Sequence, residues 1–145
     1  MNLVVDSSVV AKWLFAEPDS DRADTLLRAA DAERVKLVSP DILTAEIADG
    51  IWKRVRRRDL DRQGALEAGD YFESICPLLY PIRDLWGPAM RLAITYGHPV
   101  YDCLYLALAE GLPGDLVTAD QRFYQAFARD FPHLSLLRGW TERRP

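Results

Sequence analysis

The chain has 145 residues, 49% of them hydrophobic, which is typical of one globular domain with a sizeable core. Its 18 basic and 22 acidic residues leave a net charge of −4, so any contact with a polyanion must be local. No apolar stretch approaches the roughly twenty residues that cross a bilayer, and no signal peptide is expected. We therefore predict a cytoplasmic protein with no membrane contact, whose Cys76 and Cys103 are buried thiols.

The first predicted element is a buried strand, Leu3 to Val5, which is followed directly by Asp6. A continuous apolar run is typical of a strand that helices cover on both faces. Ligands of open α/β sheets bind at the carboxyl ends of strands, so Asp6 is a candidate ligand for a cation or a base for a substrate. An Asp at this position is also a common helix N-cap, and this residue alone leaves both interpretations open.

Two helices and a second strand are predicted next, over residues 8–15, 19–36 and 35–38. Ser39 and Pro40 then predict the start of a third helix, with Ser39 as its N-cap and Pro40 at its first position. The expected order of elements in this half is therefore β-α-α-β-α.

The third helix, predicted over residues 41–57, has two different faces. Its apolar residues recur at every fourth position and predict a buried stripe: Leu43, Ile47, Ile51 and Val55. Glu46 lies away from that stripe, so periodicity alone favours a solvated side chain. The basic run 53–58 favours a solvated helix end that suits the helix dipole, and a phosphate-contacting patch is the alternative.

The second half of the chain predicts helices over residues 61–75, 84–96, 100–110 and 121–129 and short strands over residues 78–82, 115–118 and 134–137. Asp102 falls in the first turn of one helix, where an acid often complements the helix dipole. Asp120 repeats the opening pattern, because a β-favouring run and a hydroxyl precede an acid at the end of a strand.

Four segments of this chain carry a family resemblance: Val4–Ser8, Pro40–Glu46, Tyr101–Glu110 and Leu116–Asp120. In this order they resemble the four motifs of the PIN domain and, more narrowly, those of the VapC toxins of bacterial toxin–antitoxin pairs. The resemblance spans essentially the whole chain. It implies a single PIN domain over residues 1–145, with a three-layer α/β/α fold around a central, mainly parallel sheet of about four to five strands.

The resemblance also implies an acidic active-site quartet, which consists of Asp6, Glu46, Asp102 and Asp120. Three of these are expected to ligate a metal: Asp6, Asp102 and Asp120. Ser7 and Thr118 take the hydroxyl positions that orient the carboxylates. Where the family commonly has Asn, this chain has Asp49, which adds a fifth carboxylate near the site.

The residue types agree with this assignment. Carboxylates that converge without His or Cys form an all-oxygen site, which suits Mg²⁺ or Mn²⁺ and argues against zinc. Such a metal favours phosphodiester hydrolysis, and the family implies RNA as the substrate, with a 5′-phosphate and a 3′-hydroxyl as product ends. The residues of the basic run predicted to contact RNA are Lys53, Arg54, Arg57 and Arg58.

The family further implies a cognate VapB-type antitoxin and a homodimer. One groove predicted to receive an antitoxin helix is formed by apolar residues: Trp13, Leu14 and Phe15 with Trp52 or Leu60. These side chains are equally compatible with a core or with a homodimer surface.

Rival functions fail at particular residues. An aspartyl phosphatase needs a second Asp where this chain has Ser8, and a dinucleotide-binding domain needs a glycine-rich turn that does not follow the first strand. His98 and His133 are expected to have structural roles, which argues against a Ser-His-Asp hydrolase. The alternative from another class is a catalytically silent PIN-like module that binds a protein or RNA.

Overall fold

The computed structural model describes residues 1–142, in which one or two α-helices separate successive strands. The elements are, in order, β1 (Asn2–Val5), α1 (Ser7–Leu14), α2 (Ser20–Asp31), β2 (Lys36–Pro40), α3 (Ile42–Arg56), α4 (Arg62–Ile75), β3 (Leu78–Tyr80), α5 (Trp86–Tyr96), α6 (Val100–Gly111), β4 (Gly114–Thr118), α7 (Gln121–Phe127) and β5 (Leu134–Leu136). Short 3₁₀ helices cover Ile82–Asp84 and Leu137–Gly139. Within residues 1–142, no helix is long and apolar enough to cross a bilayer.

The five strands form one parallel sheet in the order β3-β2-β1-β4-β5, so β1 is the central strand. Along β1, Leu3 and Val5 pack into one hydrophobic cluster with α1 to α4, whereas Val4 packs into a second cluster with α5 to α7. Alternate side chains of a strand point to opposite faces, and helices cover both faces here. The predicted three-layer α/β/α fold with a parallel sheet is therefore confirmed.

The register of the sheet determines which residues meet beyond its carboxyl edge. Val5 of β1 pairs with Val117 of β4, so Asp6 and Thr118 follow side by side. On the other side of β1, Val4 pairs with Val38 of β2, and α3 starts shortly after that strand. The ends of β1 and β4 and the start of α3 thus lie close together at one edge of the sheet.

The prediction that Ser39 caps a helix was wrong. Ser39 and Pro40 are the last residues of β2, and α3 begins only at Ile42. The Ser39 hydroxyl is buried and donates to the carbonyl of Val5 at 2.6 Å, so the neighbouring strand takes the group that a helix cap would have used. Sheet pairing outweighed a local capping signal.

The second helix is also shorter than predicted, because it ends at Asp31 and not at Lys36. Glu33 has a left-handed backbone (φ 56°), which terminates the helix and turns the chain towards β2. The predicted stop after α5 is confirmed, since Gly97 has φ 61° and glycine adopts this conformation without steric cost.

Candidate active site

Asp6 joins the central strand to the first helix and is 4% exposed. As the N-cap of α1, its Oδ1 accepts from the backbone N–H of Val9 at 3.2 Å. The same oxygen accepts from the Ser8 hydroxyl at 2.5 Å, and Oδ2 accepts from the Thr118 hydroxyl. The two interpretations left open by the sequence are therefore compatible, because one carboxylate caps the helix and lies at the sheet edge.

Burial gives Asp6 an unusual proton affinity. Desolvation raises its pKa from 3.8 to about 7, although the hydrogen bonds from Ser8, Thr118 and Val9 oppose the shift. The negative charge of Asp102 raises the pKa further. A proton or a cation at this carboxylate is therefore favoured close to neutral pH.

Glu46 reaches the same region from α3. It is partly buried, and its Oε1 accepts from the Tyr105 hydroxyl of α6 at 2.6 Å, while Oε2 lies 3.4 Å from the Ser7 hydroxyl. Burial raises the pKa of Glu46, the Tyr105 hydrogen bond lowers it, and the charge of Asp102 raises it. Glu46 is thus not the solvated residue that helix periodicity favours.

Asp102 lies in the first turn of α6, and its charge acts on both Asp6 and Glu46. Its Oδ2 lies 2.6 Å from Nε2 of His98, four residues earlier in the turn before α6. The His98 ring packs edge-on against Phe127, with ring centroids 5.0 Å apart. These contacts join Asp102 to the core through His98.

Asp120 is connected to the site more indirectly. It is the N-cap of α7, and its Oδ1 accepts from the backbone N–H groups of Arg122 at 2.8 Å and Phe123 at 3.2 Å. Its own N–H donates to the Thr118 hydroxyl at 3.0 Å, and that hydroxyl in turn donates to Asp6. Thr118 therefore bridges the two strand-end acids.

The arrangement fits a hard divalent cation by the chemistry of its donors. Asp6 is buried near the charge of Asp102, and both offer carboxylate oxygen, which Mg²⁺ and Mn²⁺ prefer. Among residues 1–142, however, no three His, Cys, Asp or Glu side chains are already grouped as ligands. Binding by the predicted ligands therefore requires their side chains to converge further.

Asp49, the fifth carboxylate that the sequence places near the site, is about half exposed. Its Oδ2 lies 2.9 Å from Nζ of Lys53, with which it forms an ion pair.

Three residues that contact the acids were not among the predicted site residues. Ser8 donates to Asp6, Tyr105 donates to Glu46, and His98 contacts Asp102. Their spacing gives a weak indication that they are neighbours of Asp102. Tyr105 lies three positions after Asp102 on α6, and His98 lies four positions before it, just ahead of that helix. In the sequence, Tyr105 is indistinguishable from the apolar residues around it.

The basic run lies in the last turn of α3 and just beyond it, and Arg54 has the most side-chain contacts among its predicted RNA-binding residues. The Arg54 guanidinium lies 3.9 Å from the centroid of the Phe15 ring and pairs with Glu17 at 3.1 Å. Arg54 and Glu46 both line a cleft of about 170 Å³ that also includes Ser7 and Ser8. Lys53, Arg57 and Arg58 are exposed.

The predicted apolar groove is only partly available on the surface. Trp13 is 7% exposed, and its indole N–H donates to the carbonyl of Ala23 at 2.8 Å, so this side chain belongs to the core. Leu14, Phe15 and Leu60 are partly buried, and Trp52 is 53% exposed. The core interpretation therefore holds for Trp13.

The chain is similar to known proteins along most of its length. Residues 3–127 match the PIN domain. Ribonuclease VapC3 of Pyrobaculum aerophilum is 30% identical over 131 residues, which are 88% of this chain and 95% of the relative.

Solved structures share the fold at lower identity. A chain of VapBC2 from Rickettsia felis, crystallised with a DNA fragment from the promoter, has a TM-score of 0.62 and 20% identity, covering 94% of this chain and 97% of that chain. A toxin–antitoxin complex from Klebsiella pneumoniae gives a TM-score of 0.57 and 16% identity, covering 93% and 97%. The sequence matches show that the chain belongs to the PIN-domain family, as a member of the VapC type.

Proposed function

We propose that this chain is the toxin of a type II toxin–antitoxin system and acts as an Mg²⁺- or Mn²⁺-dependent endoribonuclease. The proposed catalytic residues are Asp6, Glu46, Asp102 and Asp120. The observation that carries the proposal is that Asp6 and Glu46 lie near the carboxyl edge of the sheet, close enough to Asp102 for its charge to act on both. Burial and the charge of Asp102 raise the pKa values of Asp6 and Glu46, and carboxylates perturbed in this way are typical of functional sites.

The chain's own residues have distinct parts in this proposal. The hydroxyls of Ser8 and Thr118 orient the Asp6 carboxylate, and Tyr105 and Ser7 hold Glu46. Glu46 can accept a proton near the reacting water, because burial raises its pKa. A bound Mg²⁺ or Mn²⁺, held by Asp6, Asp102 and Asp120, would neutralise phosphate charge and lower the pKa of water.

The test is cleavage of single-stranded or loop RNA by the purified chain, freed of any bound protein, with Mg²⁺, with Mn²⁺ and with EDTA. Asp6→Asn should abolish cleavage, since it removes a proposed ligand charge while Asn still caps a helix. Asp61→Asn is the matched control, because Asp61 caps α4 in the same way by accepting from Gly64 at 2.7 Å. Cleavage that persists in EDTA, or in Asp6→Asn, would contradict the proposed mechanism.

A second candidate is a catalytically silent module that binds a protein or RNA. It is favoured by the absence, among residues 1–142, of a preformed group of three metal-ligating side chains. This candidate predicts that the wild-type chain and Asp6→Asn are equally inactive on every RNA, with either metal.

We also propose contacts between RNA phosphates and the exposed part of the basic run. Replacing Arg57 and Arg58 by Gln should weaken RNA binding across sequences and flatten its dependence on salt. Each phosphate contact that is lost reduces the number of counterions released on binding. Lys53 and Arg54 belong to the same proposed surface, but each already has an acidic partner in the chain. An unchanged slope of log affinity against log salt would leave the run as a solvated helix end.

The proposed partners are a cognate VapB-type antitoxin and a second copy of the chain. The toxin–antitoxin complex among the structural relatives supports the first. We further propose that residues 1–145 form a single PIN domain that acts in the cytoplasm. One sheet that contains strands from Asn2 to Leu136 supports the single domain.

A further inference from the structure

Tyr105 is a buried polar residue in the middle of the most apolar helix. Its side chain is 1% exposed and lies in the cluster between α6 and the sheet. A buried hydroxyl needs a hydrogen-bond partner, and this one donates to Oε1 of Glu46 at 2.6 Å. A helix on one face of the sheet thus contacts a carboxylate from α3, whose buried residues pack on the other face.

The contact is well suited to hold Glu46 in one orientation. A glutamate side chain has three rotatable bonds, whereas a tyrosine ring packed in the core presents its hydroxyl at one place. The hydrogen bond is short because its acceptor is a carboxylate. Ser7 approaches the second oxygen at 3.4 Å and also interacts with Tyr105, so both oxygens of Glu46 face a hydroxyl.

The position of Tyr105 relative to the other acids makes this contact relevant to the site. Asp102 lies three residues earlier on α6, so one rigid helix carries an acid of the site and the donor to another. The distance between Asp102 and the Glu46 carboxylate is thereby tied to the packing of a single helix. Loss of the Tyr105 hydroxyl would release Glu46 without moving Asp102.

We propose that Tyr105 is a positioning residue, whose hydroxyl holds the Glu46 carboxylate in the orientation that RNA hydrolysis requires. This inference rests on the proposed nuclease function. A purely structural tyrosine, whose hydroxyl only finds the nearest acceptor, would affect stability and leave the chemical step unchanged. The two roles differ in measurable ways.

The experiment compares Tyr105→Phe with the wild-type chain in Mg²⁺, on one single-stranded RNA that the wild type cuts. The ring and its packing remain, and only the hydroxyl is lost. We expect kcat to fall about 10- to 100-fold, as small misplacements of a reacting group do, with little change in KM and in the folded fraction. Tyr96→Phe is the matched control, because its hydroxyl also donates to a carboxylate, that of Asp130 at 2.9 Å, outside the acidic site.

Two further variants make the result decisive. Ser7→Ala removes the longer contact to Glu46 and should lower kcat by a smaller factor, which also tests the inference if Tyr105→Phe does not fold. In a Glu46→Ala background, followed in single-turnover reactions with enzyme in excess, Tyr105→Phe should have no further effect, because the group it positions is gone.

The outcomes separate this inference from the function on which it rests. A wild-type chain without metal-dependent cleavage would overturn both. A wild-type chain that cuts RNA, together with a Tyr105→Phe variant of equal kcat, would overturn only the positioning role. The same conclusion follows if Tyr105→Phe lowers kcat by the same factor with and without Glu46.

Discussion

Asp6 and Asp120 occupy the same local motif and have different surroundings. Each follows a parallel strand and caps the next helix through its side chain. Asp6 follows the central strand, is 4% exposed, and receives hydrogen bonds from the Ser8 and Thr118 side chains. Asp120 is partly exposed, and its side chain accepts from two backbone N–H groups. The position of the strand in the sheet, and not the motif, decides how strongly the acid is desolvated.

The largest expected effect that tests this comparison is the dependence of stability on pH in EDTA. The pKa of Asp6 is raised from 3.8 to about 7 in the folded state, so the folded chain binds this proton more tightly than the unfolded chain. The stability that this group contributes is therefore lost as pH rises from about 4 to about 7. Above that range, the buried charge costs on the order of 4 kcal/mol.

Asp6→Asn should remove this cost. The free energy of unfolding in urea should exceed that of the wild type at about pH 8, and the difference should shrink towards pH 4. Asp120→Asn is the comparison, because its carboxylate keeps contact with water and should not reproduce the gain. A gain for Asp6→Asn that does not vary with pH would show that desolvation is not its origin.

A smaller effect is expected at Thr118, the hydroxyl that connects the two acids. Thr118→Val keeps the shape and removes the donor to Asp6 and the acceptor for the N–H of Asp120. Loss of such an outer partner should weaken the response to Mg²⁺ about 10- to 100-fold, measured as the Mg²⁺ concentration for half-maximal cleavage. Thr95→Val, which loses a hydroxyl bonded within α5, is the control. An unchanged Mg²⁺ response would show that Thr118 does not orient the site.

The smallest expected effect concerns capping alone. Asp120→Ala removes two hydrogen bonds to the first turn of α7 and should lower the free energy of unfolding by about 1 kcal/mol. Asp120→Asn should keep most of that stability, because Asn also caps helices. If both variants cleave RNA as well as the wild type, Asp120 is a cap and not part of the active site.

The sequence predicted the fold better than it predicted the contacts at the site. The apolar run before Asp6 and the helix that ends before Gly97 are local signals, and the structure agrees with both. The prediction that Ser39 caps a helix was wrong because a serine hydroxyl can either cap a helix or donate to a neighbouring strand. The acceptor that it uses, the carbonyl of Val5, is next to it only in the assembled sheet.

The environment of Glu46 is the clearest example of a feature that local sequence patterns did not predict. Periodicity describes one helix at a time, and on α3 alone Glu46 lies away from the buried stripe. Two residues of α6 act on it across more than fifty residues of sequence: Tyr105 donates a hydrogen bond to it, and the charge of Asp102 helps to raise its pKa. No pattern within either helix contains that contact.

The sequence by itself determined the parallel sheet, the order of its elements and the acids at its strand ends, because apolar runs, breakers and caps act within a few residues. The tertiary structure decided which of those acids is desolvated and which hydroxyls contact them. Strand order placed Asp6 at the centre of the sheet, and helix packing placed Tyr105 against Glu46. Desolvation and hydrogen bonding between distant segments exist only once the layers have packed.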